Sequence, residues 1–392
     1  MTTPSQSTRK GLSGLFFSGF YISLLGAILP AWRHHIEPDY LLIGAYFLFQ
    51  NLGVLGGTVL GDWLNRRRGF GFAMSLASGL ASAALLGLAV FSPPMPAWGR
   101  LLSLMLLGVS AGLLNNGVMQ AITPAFQFDA AATLNLSGVV LGLGCLASAL
   151  FVSGTFFVYS VSSILVLLSV APLFACIVYA RSNLPKMPVY EQLNWREAWR
   201  DFKSPAAILL ALLLFVQFGS EGAVAGWLAL FLSLRLGQSP ATSLLLLALF
   251  WASLLIGRGV AQWLLPRAPH GRLLLAAVFL PMFACLILMA TDNLFGAITG
   301  AVLMGAGFSI ILPLVMERIG DRFPYFHPGF FNGIFSLAIT GGLLAPASLG
   351  VYAHFFGLKV VMGLPLVGSV VVLILVLLIF LEAKLSGRAV KL

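Results

Sequence analysis

Charge is what this sequence has least of. Asp, Glu, Lys and Arg together make up 9% of its 392 residues, and only 12 residues are acidic. A soluble surface carries about 25–35% of such residues, so this chain cannot close into an ordinary water-soluble globule. Cysteine is equally sparse. Cys145, Cys176 and Cys285 all fall in apolar runs, with no CxxC or ligand-like spacing, which excludes a disulfide framework and offers no metal site. Long polar stretches are missing too. There is no Walker loop, no HExxH, no nucleophile with an arranged base and no segment large enough to bind a nucleotide, so nothing points to an enzyme. His34, His35 and Glu37 stand close together, but they read as a solvated loop; neither metal nor cofactor is expected.

What the sequence has is long hydrophobic runs. Hydrophobic residues make up 59% and mean hydropathy is +0.99. Crossing a hydrocarbon core of about 30 Å takes about 20 apolar residues in a helix. Spans are predicted at 11–32, 40–61, 70–92, 99–119, 134–155, 160–180, 206–233, 242–264, 272–290, 294–316, 329–355 and 357–382. The runs lack a period of two, which disfavours an outer-membrane barrel. The fold class is therefore all-α, a polytopic membrane protein with twelve transmembrane helices. The first run has no short polar region with a small-residue cleavage site and reads as a span, not a signal peptide.

The net charge of +10 is a topology signal. Of 22 Lys and Arg, 17 fall on the side of the amino terminus, against Arg33, Arg100, Arg235 and Lys359 on the other side and Arg258 within a span. By the positive-inside rule both termini are cytoplasmic, and nucleic acid is not an expected partner. The loop Gln120–Thr133 dissents, having no Lys or Arg. Short loops favour a bacterial inner membrane, and a monomer is expected.

The longest polar interruption, Arg181–Ser204, divides the spans six and six. The expected organisation is an N-terminal six-helix bundle at 1–182, a cytoplasmic linker at 183–205 and a C-terminal six-helix bundle at 206–392, with an amphipathic surface helix over Glu191–Lys203. Sliding the sequence by 200 superposes Gly19, Gly57, Trp63 and Arg67 on Gly219, Gly257, Trp263 and Arg267. Sliding by 197 superposes Gly108 on Gly305, Asn135 on Asn332 and Gly144 on Gly341. The two bundles are thus pseudo-symmetric, an arrangement that places solute near the midplane.

Twelve spans in equivalent halves, with a basic loop after the second, resemble the major facilitator superfamily. The local signature is Gly57–Gly69, GTVLGDWLNRRRG, in which Asp62, Arg66 and Arg67 match the superfamily's loop motif; Thr58, Trp63 and Asn65 depart from it. The resemblance implies a cytoplasmic gate formed by Asp62, Arg66 and Arg67, latching one bundle to the next by charge-assisted hydrogen bonds. In span seven, FGSEGAVAGWL at Phe218–Leu228 is similar to the fucose/glucose permease-like branch. Asn115 stands where that branch commonly has an acid in span four. Span five lacks the Gly-Pro element of drug/proton antiporters.

Glu221 is the one carboxylate well inside a predicted span, and an intramembrane acid is by default a functional hypothesis. It is the expected proton carrier, with Gln217 one turn earlier able to hydrogen-bond it. Arg258 is expected near the cytoplasmic end, serving structure more than solute. Polar residues recur at helical spacing: Tyr46 with Gln50, Asn116 with Gln120, and Asn332 with Ser336 and Thr340. With Tyr21, Trp227 and Trp251 they could line a cavity for a polyhydroxy solute, or bind helices to one another. The expected function is secondary active import of a small polar solute, a sugar, by proton-coupled alternating access. The alternative is a proton-coupled efflux antiporter for an amphipathic compound; a uniporter is a third reading.

Overall fold

The computed structural model describes residues 6–32, 39–126, 130–181, 205–264, 267, 270–322 and 328–385, without the side chains of 6–11, 118–134, 316–318, 320–322, 328–336 and 383. The His34, His35 and Glu37 loop and the proposed helix at Glu191–Lys203 lie outside the described residues, as do the side chains of Gln120, Asn332 and Ser336. Twelve helices follow in order among the described residues: α1 Gln6–Trp32, α2 Tyr40–Arg68, α3 Phe70–Val90, α4 Ala97–Phe126, α5 Ala130–Thr155, α6 Val161–Ala180, α7 Pro205–Leu236, α8 Pro240–Leu264, α9 His270–Ala290, α10 Leu294–Arg322, α11 Pro328–Phe356 and α12 Val360–Leu385. Each contains a stretch long and apolar enough to cross a membrane.

Local sequence explains several boundaries. Asp39 opens α2 by accepting bonds from the amides of Leu41 and Leu42 at 3.0 and 3.3 Å, and Ser160 caps α6 through the amide of Ser163. At the other end of α2, Gly69 takes φ 86°, and α3 begins at the next residue. Helix α2 runs seven residues past its expected end, because Asp62–Arg68 is polar but still helix-forming, and charged groups can continue a helix into water once the hydrocarbon ends.

The chain divides into two compact units, Met1–Val189 with Leu232–Ala248, and Tyr190–Phe231 with Leu249–Leu392. The segment Leu232–Ala248, which the expected boundary assigned to the second half, groups with the first; there Ser153 Oγ donates to the Ala241 carbonyl at 2.9 Å. Many bulky apolar side chains face outward, among them Val59, Phe157 and Phe295, each more than 70% exposed. Such a surface is stable only against lipid.

Within each unit, helices cross backbone to backbone at glycine. In the first, Gly108 of α4 lies against the Gln50 carbonyl and Gly57 of α2 against that of Val109. In the second, Gly305 of α10 lies against the Phe250 carbonyl, the position equivalent to Gln50, and Gly257 of α8 against Ser309. Likewise Gly144 of α5 meets the Phe16 carbonyl and Gly341 of α11 that of Phe215. These are the glycines that the sequence repeat superposes, and a Cβ at the carbonyl-facing positions would collide with main-chain oxygen.

Candidate functional site

The apolar interior of the second unit holds one ion pair among the described residues. Glu221, midway along α7, faces Arg258 of α8: guanidinium Nη2 and carboxylate Oε1 are 3.9 Å apart, with side chains 7% exposed for Arg258 and 18% for Glu221. The gap is beyond hydrogen-bond length, so attraction is coulombic. Arg258, expected near a helix end, lies six residues before the end of α8, and its long side chain carries the guanidinium to the acid. Glu221 is therefore not a solitary charge.

The same two helices carry buried donors without acceptors. Gln217 Nε2, Arg258 Nε and Trp251 Nε1 have no hydrogen-bond partner among the described residues. Gln217, 2% exposed, thus does not donate to Glu221 as expected from their spacing. Trp251 lies two turns before Arg258 on the same face of α8, its ring edge-on to Phe250 at 5.2 Å. Burying a donor unpaired costs about 1–3 kcal/mol, which an oxygen-rich solute would offset. Trp227 differs. Its indole donates to the Pro346 carbonyl at 2.9 Å and its side chain is fully buried, so it ties α7 to α11 instead of offering its N–H to solute.

In the first unit most expected solute contacts are helix ties. Tyr46 accepts from Arg100 Nε at 2.6 Å and packs edge-on against Trp32. Arg100, 3% exposed, also donates to the carbonyls of Phe91 and Met95. Arg100 stands at the start of the fourth predicted span, where it counts only as a topology charge, and its side-chain acceptor Tyr46, 54 positions away, gives no local signal. Gln50 donates to the Tyr21 carbonyl at 2.9 Å. Asn116 donates to the Thr58 carbonyl and accepts from Asn65, joining α4 to α2. Tyr21 is the exception, 1% exposed with its hydroxyl unpartnered. Asn115 is half-buried beside Asn116, and Thr340 of α11 is half-buried.

At the Arg66–Arg68 end of α2, Asp62 pairs with Arg66 of its own helix at 2.6 Å. Arg67 lies over the Trp63 ring at 4.7 Å, and Arg267 over Trp263 at 4.6 Å, so this stack recurs in both halves. Two of the three residues expected to form the gate, Asp62 and Arg66, thus pair with each other within α2.

The fold and sequence have recognisable relatives. Over 95% of this chain and 99% of the other, the structure aligns with nucleoside transporter NupG at a TM-score of 0.71 and 12% identity. It aligns with a bacterial homologue of the human lysosomal transporter Spinster at 0.68 and 14%, covering 99% of both. In sequence, an uncharacterized MFS-type transporter of Yersinia pestis is 26% identical over 183 residues, 47% of this chain and 45% of that protein. A glucose/galactose transporter of Brucella abortus is 26% identical over 166 residues, 41% and 39% respectively. The chain spans less than half the length of these curated relatives. The Major Facilitator Superfamily model matches residues 130–346, more than half of the sequence and reaching into both units, and the chain belongs to that superfamily.

Proposed function

We propose that this chain is a secondary active transporter that imports a small polar solute, a sugar, by proton symport through alternating access. The single observation that carries the reading is the acid Glu221 set inside α7 and facing Arg258 of α8, on helices that also carry the buried donors Gln217 and Trp251. A carboxylate there is costly to ionise without a partner, and can take up a proton and give it back as its surroundings change. Buried donors without acceptors suit hydroxyl and ring oxygens, and an indole suits a sugar's apolar face. The partial match to the Brucella abortus glucose/galactose transporter supports the same solute class. The proton gradient supplies the drive, about 2.3 kcal/mol per charge for 100 mV, with no cofactor. The reading places a monomer in the inner membrane, both termini cytoplasmic, with Asp62, Arg66 and Arg67 as gate.

Uptake of radiolabelled D-glucose and D-galactose into proteoliposomes under an imposed pH gradient tests this. Accumulation driven by inward protons supports symport, and Glu221→Gln should abolish it while sparing counterflow exchange. Equilibration without accumulation would indicate a uniporter, and extrusion of an amphipathic compound against inward protons an antiporter.

A further inference from the structure

We propose that the outward face of α2 is a binding site for one anionic phospholipid, whose alkyl chain lies along Leu52–Trp63 and whose phosphate is held by Arg67 and Arg68. A second, weaker copy of the site stands on α8 at Trp263 and Arg267. The inference is independent of the solute and of the coupling ion.

Length and exposure define the groove. Leu52, Leu55, Gly56, Val59, Leu60 and Trp63 line an open groove along α2. All six are exposed, and a Cβ at Gly56 would meet open space. From Leu52 to Trp63 the helix rises about 16 Å, at about 1.5 Å per residue. That is close to the hydrocarbon depth of one leaflet, half of about 30 Å. The groove thus has the length of one acyl chain, and it ends where an indole belongs, at the boundary of hydrocarbon and water.

Charge at that end selects the head group. Asp62 is taken by Arg66 at 2.6 Å, whereas Arg67 and Arg68 have no carboxylate partner among the described residues. Each is steadied by a ring instead: Arg67 Cζ lies 4.7 Å from the Trp63 centroid and Arg68 Cζ 5.5 Å from that of Phe72. A guanidinium stacked on a ring keeps its edge N–H groups for phosphate oxygens. Two such groups beside an apolar groove fit a ligand with an anionic head and an alkyl tail; a zwitterionic head leaves their charge uncompensated.

The same register returns in the second half. Displacement by 200 carries Gly56, Val59, Leu60 and Trp63 onto Ile256, Gly259, Val260 and Trp263, again all exposed, and Arg267 lies over Trp263 at 4.6 Å. Pro266 and Ala268 stand in place of the flanking arginines, so this copy offers one guanidinium where the first offers two.

Native mass spectrometry of the delipidated full chain in detergent, titrated with dioleoyl-phosphatidylglycerol, dioleoyl-phosphatidylethanolamine or dioleoyl-phosphatidylcholine, tests this. Phosphatidylglycerol should be retained as two adducts of unequal affinity. The tighter should form about 25-fold more strongly than with either zwitterionic lipid, about fivefold for each of Arg67 and Arg68. Arg67→Gln combined with Arg68→Gln should remove that preference and spare the weaker adduct; Arg267→Gln should do the reverse. Gly56→Leu, which fills the groove and leaves every charge in place, should also weaken the tighter adduct. Glycerol phosphate, the head group without chains, should displace neither adduct; displacement would make these sites for free phosphate esters and overturn the lipid. Equal retention of the three lipids, or undiminished phosphatidylglycerol binding in the double arginine variant, overturns the proposal. Should that variant not fold, Gly56→Leu decides alone, and binding as tight as wild type there sinks the groove.

Discussion

The hydroxyl of Tyr46 in α2 accepts a 2.6 Å hydrogen bond from Nε of Arg100 in α4. Arg100 is 3% exposed and its other hydrogen bonds go to the main-chain oxygens of Phe91 and Met95, so among the described residues the phenol is the one side chain that accepts from it. Tyr46→Phe should lower stability by about 1–3 kcal/mol, because a buried charged donor loses its acceptor. Thermal unfolding in detergent measures the loss, and the KM for solute should not move. A raised KM with unchanged unfolding would return Tyr46 to the solute site.

Glycine crossings predict paired defects. Gly108→Ala would push a Cβ into the Gln50 carbonyl and Gly305→Ala into that of Phe250, and each should cost about 1–3 kcal/mol through backbone displacement. Gly56→Ala, with open space at its Cβ position, is the control and should be neutral. Equal unfolding temperatures for all three proteins would contradict the close approach.

Trp227→Phe keeps the apolar bulk of a fully buried ring but removes the 2.9 Å bond to the Pro346 carbonyl. The expected result is a stability loss of about 1–3 kcal/mol with solute affinity retained. Loss of affinity at full stability would instead make the indole a solute contact.

Asp62 and Arg66 are both partly exposed, and an intrahelical pair of that kind is worth only about 0.3–0.5 kcal/mol. Asp62→Asn should barely change unfolding. If the gate reading holds, turnover falls while KM stays, and stopped-flow or initial-rate uptake distinguishes the two.

Much of this was legible in the sequence, for reasons that can be named. Helix positions follow from hydrophobic length, and glycine crossings follow from Gly57, Gly108 and Gly144 having counterparts in the second half. The site was legible only in part. Glu221 announces itself as an acid in an apolar run, but Arg258 lies 37 positions away on another helix, and its reach depends on how α7 and α8 pack. Tyr46, Gln50 and Asn116 look like cavity residues because each is polar at helical spacing. Their acceptors and donors come from α1, α2 and α4, and no periodicity within one helix reveals a partner on the next. The α2 extension was missed because hydropathy reports where hydrocarbon ends, not where a helix does.

The glycine contacts shared by the two halves mean that tolerance to substitution should be a doubled pattern along the chain. A map of every single-residue replacement, scored for folded protein, would show intolerant sites at Gly57 and Gly108 and again at Gly257 and Gly305. Its self-correlation would peak at the same displacements, 200 and 197, that align the halves, so the duplication would be readable from mutational data alone.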